Sequence, residues 1–244
     1  MDHSWMERTA LLVGQKGQEK LINANVLIVG LGGVGSYAAE AIARAGIGKI
    51  TIIDGDSVDP TNRNRQLQAL STTHGMSKAL LIEERLKAIN PNAQITTIDH
   101  FMTPEAMKEL LKQKFSYIID AIDSITPKLY LISTAYWNNQ KIISSMGAGG
   151  KMDPTRIEVT DISKTHTDPL AQYVRKRLRY MNIFKGVKCV YSNELPAKYS
   201  IMHTDGSKFK KSAYGTISYL PAVFGLTCAS VVIREISGWK PVKC

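Results

Sequence analysis

An apolar, β-branched run at Val26–Val29 leads directly into Gly30-Leu31-Gly32-Gly33-Val34-Gly35, and a helical pattern with Ala and Ile on one face follows. Few chains can fold around such a passage in more than one way. Gly30 permits a tight turn, Gly32 and Gly33 let backbone approach a phosphate, and Gly35 lets the helix pack closely on the strand. Unpaired amides and the positive end of the helix dipole then face an anion. Asp54 closes the next apolar run, Lys49–Asp54, at the spacing where a carboxylate meets ribose hydroxyls. NAD and ATP satisfy these features equally. The turn Asp54-Gly55-Asp56 and the run Thr61-Asn62-Arg63-Asn64-Arg65-Gln66 break the tie together with Lys78. Asn62, Arg65 and Lys78 put polar and cationic groups where a triphosphate is cleaved, and a nicotinamide enzyme has no need of them.

The first half of the chain alternates regularly. Strands are expected at Asn25–Val29, Lys49–Ile53, Gln94–Ile98, Ser116–Asp120 and Lys141–Ser145, with helices at Gly17–Ile22, Val34–Ala45, Ser77–Ile89, Pro104–Gln113 and Ile125–Asn138. After Gly147-Ala148-Gly149-Gly150 the pattern changes. Strands are expected at Arg156–Asp161 and Lys188–Ser192, a basic helix at Pro169–Tyr180, a mobile loop over Leu195–Ala213 and an apolar helix at Leu220–Ile236. This predicts an α/β fold: a Rossmann-like, mostly parallel sheet with helices on both faces, plus a C-terminal antiparallel and helical extension. Residues 1–244 read as one domain, with nucleotide bound by 1–150 and substrate by 151–244. Ligands of such sheets bind beyond the carboxyl ends of the strands. Asp123, after Asp120-Ala121-Ile122, stands at that edge, where a carboxylate facing phosphates implies Mg²⁺ between them.

The chain's net charge of +10 is concentrated. Lys164 to Lys211 holds eleven Lys and Arg against three acids, interleaved with Tyr173, Tyr180, Phe184, Tyr191, Tyr199 and Phe209. Cations that neutralise phosphates and rings that stack bases point to nucleic acid, with Lys164, Arg175, Lys176, Arg177 and Arg179 as the contact set. Cys189, Cys228 and Cys244 form no C-x-x-C pair, which disfavours a disulfide framework and a cysteine zinc site. No export or transit signal is visible over Met1–Thr9, so a cytoplasmic location is expected. The apolar stretch Ile217–Ile233 reads as a buried helix rather than a membrane span.

Residues Arg8 to Ile236 resemble the ubiquitin-activating-enzyme-like adenylating superfamily. The resemblance rests on Arg8-Thr9-Ala10-Leu11-Leu12-Val13-Gly14, the glycine loop, Asp54-Gly55-Asp56, 61–66, Lys78 and Asp120–Asp123. Three later segments are similar to those of the bacterial tRNA threonylcarbamoyladenosine dehydratases: 147–153 (G-A-G-G-K-M-D), 164–171 (K-T-H-T-D-P-L-A) and 186–192 (G-V-K-C-V-Y-S). The resemblance implies ATP-dependent cyclisation of the threonylcarbamoyl group beside the tRNA anticodon, through adenylation of the threonyl carboxylate. It also implies that Asp54 binds ribose, that Asp56 belongs to the nucleotide site, that Asn62, Arg65 and Lys78 hold phosphates, and that Asp123 handles Mg²⁺. Arg8 would reach the other subunit's triphosphate in a homodimer, and a sulfur-transfer protein is an allowed partner. Cys189 occupies a position where this branch has a cysteine. Lys185 and Lys188 could lower its pKa for covalent work, or it could be a small buried residue. The competing function is an adenylyltransferase for a ubiquitin-like sulfur carrier, which shares the ATP site but calls for zinc cysteines and a less basic docking face.

Overall fold

Alternating apolar residues bury both faces of each central strand, so helices must cover the sheet on two sides. The computed structural model describes residues 4–203 and 212–241. Its first elements are α1 (Glu7–Val13), α2 (Gln15–Ile22), β1 (Asn25–Val29), α3 (Gly35–Arg44), β2 (Lys49–Ile53), α4 (Lys78–Ile89) and β3 (Gln94–Ile98). There follow α5 (Pro104–Leu110), β4 (Tyr117–Asp120), α6 (Ile125–Trp137), β5 (Ile142–Ser145), β6 (Ile157–Asp161), α7 (Pro169–Tyr180) and β7 (Lys188–Ser192). A small hairpin, β8 (Ile201–His203) and β9 (Ser212–Tyr214), precedes α8 (Leu220–Ser237). The seven-stranded sheet has the order β3-β2-β1-β4-β5-β7-β6, parallel except for β6 against β7.

Val26 and Ile28 face one core together with Ile42 of α3, Ile82 of α4 and Phe224 of α8. Leu27 and Val29 face the other core, with Met107 of α5, Ile132 of α6 and Val174 of α7. Strand order reverses between β1, which pairs with β2, and β4, which leads away through β5. The loops leaving β1 and β4 therefore part at their carboxyl ends and open a crevice, where ligands of such sheets bind. Asp120 pairs in register with Val29 at the floor of that crevice.

Asp120 is fully buried beside an equally buried Lys128, 2.8 Å away. The Lys128 ammonium also donates to the Ile122 carbonyl at 2.8 Å, Ser144 Oγ donates to Asp120 Oδ2 at 2.5 Å, and the Ile122 amide donates to Asp120 Oδ1 at 3.0 Å. Asp120 reads from sequence as a turn residue. The structure makes it half of an ion pair that holds the loop to Asp123 in place.

Two expectations need correction. The chain over 195–213 is not simply a loop: a 3-10 turn at Lys198–Ser200 and the β8–β9 hairpin lie within it. Helix α1 has no strong periodicity, and sequence reading missed it, because none of its residues is buried. Asp205, Lys208, Phe209, Lys210, Lys211 and Cys244 lie outside the described residues. Helix α8 is long and apolar enough to cross a membrane, with mean hydropathy 1.4, but Leu220, Phe224, Cys228 and Val232 are buried in the first core.

Lys128→Met should lower the unfolding free energy by about 3–5 kcal/mol, because it leaves the Asp120 carboxylate buried and unpaired. Adding Asp120→Asn should recover much of that loss. Urea midpoints of the single and double variants check it.

Candidate active site

Gly30 leaves β1 at φ +88°, a left-handed conformation that side chains avoid, and a Cβ there would lie 2.7 Å from the Ala121 carbonyl oxygen. A Cβ on Gly35 would lie 1.7 Å from the Gly30 carbonyl oxygen, so only glycine lets α3 start this close to the strand. Among the described residues, the amides of Gly32, Gly33, Val34 and Gly35 have no hydrogen-bond partner. They surround the positive end of α3, and such an arrangement binds anions. Two polar residues that sequence reading passed over fix the loop. Ser36 Oγ donates to the Gly32 carbonyl at 2.7 Å, and the buried Gln68 donates to the Leu31 carbonyl at 2.7 Å.

Asp54, half-buried at the end of β2, accepts from the Leu31 amide at 2.6 Å and the Asp56 amide at 2.8 Å. Burial pushes its carboxyl up from the ordinary value, against these two hydrogen bonds and the nearby Lys78 charge. Lys78 opens α4 with its side chain buried, and its ammonium lies 3.0 Å from Asp56 Oδ2. Asn62 is buried in a 3-10 turn, where its Oδ1 accepts from the Asp59 amide at 3.1 Å. Arg65 follows, half-buried, donating to the Thr61 carbonyl at 3.0 Å and Asn64 Oδ1 at 2.8 Å. A Cβ on Gly33 would meet Arg65 Cγ at 3.2 Å, which places this guanidinium stem against the loop. Burial lowers the Arg65 pKa, while the charges of Asp123 and Asp59 oppose that effect. The Asp123 field at Arg65 shows that the two loops of the crevice face each other. Exposed Asp123 also accepts from Ser124 Oγ at 3.4 Å.

A polyphosphate fits this arrangement: free amides at one end, Lys78 and Arg65 along one wall, and a carboxylate opposite. Among the described residues no group of three His, Cys, Asp or Glu could hold a metal ion. A lone carboxylate is compatible with Mg²⁺, which binds through one or two carboxylates plus phosphate oxygens.

Beyond β5, the loop Gly147–Lys151 is locked by a second buried ion pair that the sequence did not reveal. Lys151, buried, contacts the buried Asp168 and donates to the Gly147 carbonyl at 2.9 Å and the Ser192 carbonyl at 3.3 Å. Asp168 Oδ1 in turn caps α7, accepting from the Ala171 amide at 2.7 Å. The basic helix is thus tied by its N-cap residue to the loop after β5.

The structure divides the expected nucleic-acid contacts. Lys164, Lys176, Arg177 and Arg179 are exposed, as are Tyr173, Tyr180 and Phe184. Arg175 is half-buried and donates to the carbonyl and hydroxyl of Thr165, both at 2.5 Å, so much of its hydrogen-bonding capacity is used within the chain. Tyr191 is buried, its hydroxyl donating to Glu158 and meeting His166, and cannot stack on a base. Arg8 is exposed on α1.

Of the two readings of Cys189, the structure supports the small buried residue and not the thiol of lowered pKa. It is fully buried, and burial pushes its thiol up to about 12. Lys188 points to the opposite face of β7, where it pairs with Glu235. Cys228 is buried in α8, and burial raises its thiol as well.

A family model described as the ThiF family matches residues 6–244. This chain belongs to the ThiF family. A tRNA threonylcarbamoyladenosine dehydratase of Bacillus subtilis is 40% identical over 236 residues, covering 94% of this chain and 93% of that protein. Crystal structures of the Escherichia coli tRNA N6-threonylcarbamoyladenosine dehydratase, one with AMP and one with ATP, superpose with TM-scores of 0.87 and 0.86. Both are 39% identical to this ThiF-family chain and cover 97% of it and 96% of their own chains. The E. coli sulfur carrier protein ThiS adenylyltransferase is 31% identical over 138 residues, only 56% of this chain and 55% of that protein.

In the native protein below pH 9, iodoacetamide should leave Cys189 and Cys228 unmodified over a period that labels both in urea, because burial keeps both thiols protonated. Peptide mapping by mass spectrometry reads the result.

Proposed function

We propose that this chain is an ATP-dependent tRNA threonylcarbamoyladenosine dehydratase. The reading is carried by the crevice between β1 and β4, whose four unpartnered amides, with Arg65, Lys78 and Asp123 beside them, would serve a triphosphate. The whole-length likeness to dehydratases supports it over the sulfur-carrier alternative, whose relative matches little more than half the chain.

A threonyl carboxylate has no usable leaving group. One of its oxygens attacks the α-phosphorus of ATP, forming an acyl-adenylate and expelling pyrophosphate. An internal nucleophile of the same side chain then attacks the acyl carbon, closing the ring and releasing AMP. The protein's work is positioning and charge stabilisation. The loop amides and α3 hold phosphate oxygens, and Arg65 and Lys78 stabilise charge on the departing pyrophosphate. Lys78 exchanges its Asp56 contact for phosphate, and Asp54 and Asp56 serve the ribose side. Mg²⁺ held by Asp123 and phosphate oxygens would supply further neutralisation. Cys189 serves packing in this reading, since a protonated, buried thiol is a poor nucleophile. The α7 surface of Lys176, Arg177 and Arg179 takes the tRNA backbone, which implies a cytoplasmic location.

The active unit is a homodimer in which Arg8 completes the partner's site. Support comes from α1, which buries none of its residues and leaves Leu11 and Leu12 82% and 70% exposed. A guanidinium supplied in trans would add bidentate charge stabilisation and link activity to assembly.

AMP release from ATP should require tRNA carrying the threonylcarbamoyl group, and should be absent with tRNA lacking it and without RNA. Arg65→Ala should slow that release by about 10²-fold or more, the scale of one lost oxyanion-type stabiliser. Equal release in all three RNA conditions would refute the assignment. Arg8→Ala and Asp123→Ala should each be inactive, yet regain activity when mixed under subunit exchange, because one site of each mixed dimer then holds both wild-type residues.

A further inference from the structure

The edge of the sheet opposite the glycine loop carries a second feature that the catalytic reading does not use. Helices α6 and α7 lie side by side on one face of the sheet and both run away from the catalytic edge. Helix α7 starts at Asp168, beside Gly147, and its twelve residues carry it about 18 Å toward the far edge. There it ends at Tyr180, and α6 ends at Trp137. At the end of α6, reached by Gly186 in the loop that leads from α7 to β7, lies a cleft of about 490 Å³ lined by Tyr136, Trp137, Asn139, Gln140, Ile142 and Gly186. That volume falls within the range of small-molecule sites.

Its chemistry is that of an unstacked base. Trp137 is 60% exposed and stands edge-on to Tyr136, with ring centroids 5.2 Å apart and planes at 87°. This contact holds the indole upright while leaving ring surface open. Gly186, at φ +95°, has no side chain to narrow the cleft, and a Cβ there would sit 3.1 Å from the Tyr136 ring. The Asn139 backbone amide donates to the Tyr136 carbonyl at 3.0 Å, while its exposed side-chain amide has no hydrogen-bond partner among the described residues and can both donate to and accept from a base edge. The Gln140 amide, in contrast, is fully occupied with the Leu111 and Gln113 carbonyls and the Phe115 amide. Lys185 and the 59%-exposed Phe184 immediately precede Gly186. Aromatic rings, a free side-chain amide and the neighbouring Lys185 suit single-stranded nucleic acid better than an apolar peptide.

We propose that this cleft binds an unpaired nucleobase of the same tRNA, stacked on Trp137, at a point along the RNA distant from the adenosine being modified. The proposal rests on the reading of α7 as the tRNA face. Helix α7 then acts as a basic track between two anchoring points, the reacting nucleoside at one end and a stacked base at the other.

A stacking contact and a phosphate contact leave different signatures, so one set of titrations separates the two readings. Trp137→Ala should weaken binding of full-length tRNA roughly 5- to 100-fold, the cost of losing one stacked base, without changing the salt dependence. Trp137→Phe should retain most of the affinity, and ATP binding should be unchanged. Replacing Lys176, Arg177 and Arg179 with Ala should instead flatten the log–log salt slope, by about 0.7–0.9 per lost phosphate contact. A variant keeping only Trp137 (Trp5→Phe, Trp239→Phe) should show quenching when tRNA is added, a readout that does not depend on truncating the indole. Wild-type tRNA affinity in Trp137→Ala, or unquenched Trp137 at saturating tRNA, overturns the cleft. If the triple variant still flattens the slope in that case, the α7 reading stands alone. An unchanged slope in the triple variant removes the α7 reading, and a quenched Trp137 would then place the base independently of it.

Discussion

The start of α3 against the Gly30 carbonyl is the contact on which the rest of the site depends. With no Cβ on Gly35, the helix begins where any other residue would collide with the strand's last carbonyl. That closeness aims four unpartnered amides out of the crevice and sets the depth at which phosphate can bind. Asp54, Ser36 and Gln68 each satisfy a group of the same loop with a hydrogen bond, so the anion site is formed before any ligand arrives. Preorganisation of this kind is where electrostatic catalysis gains most, since dipoles already in place need no reorganisation during the reaction.

Two buried lysines extend that rigidity outward. Lys128 neutralises Asp120 beneath the loop that carries Asp123, and Lys151 neutralises Asp168 beneath the loop after β5. Neither ammonium faces solvent, and each also donates to main-chain carbonyls, as a charge in such an environment must. The second pair has a mechanical consequence. A single carboxylate caps α7 with one oxygen and clamps the Gly147–Lys151 loop with the other, so the start of α7 is registered against that loop. The glycine-loop crevice and the exposed basic face of α7 are therefore tied to the same sheet edge by buried ion pairs.

Much of this was legible in the chain itself. Glycine spacing, β-branched runs and their period gave the parallel sheet, and Asp54 and Asp123 stand out in the sequence because each follows a strand end within a few residues. Local chemistry decides such features: a turn that requires φ > 0 needs glycine, and a strand end has only one edge to emerge from. The basic helix was found for a similar reason, since Pro169 and the preceding Asp168 mark its start unmistakably.

What the sequence could not decide was which charged groups turn inward. Lys128, Lys151 and Asp120 look like any surface residues in one dimension, and only the packing of α6 and α7 on the sheet removes them from water. Cys189 shows the same limit from the other side. Lys185 and Lys188 flank it in sequence and suggest an activated thiol, but strand alternation sends Lys188 to the opposite face and leaves the sulfur in an apolar core. Tyr191 is buried for that reason as well, whereas Trp137 emerges exposed at a helix end. The sequence determined the backbone course and the ends of its elements, because these depend on neighbours a few residues away. The tertiary structure decided which side chains meet water, because burial depends on the elements that come to lie against them.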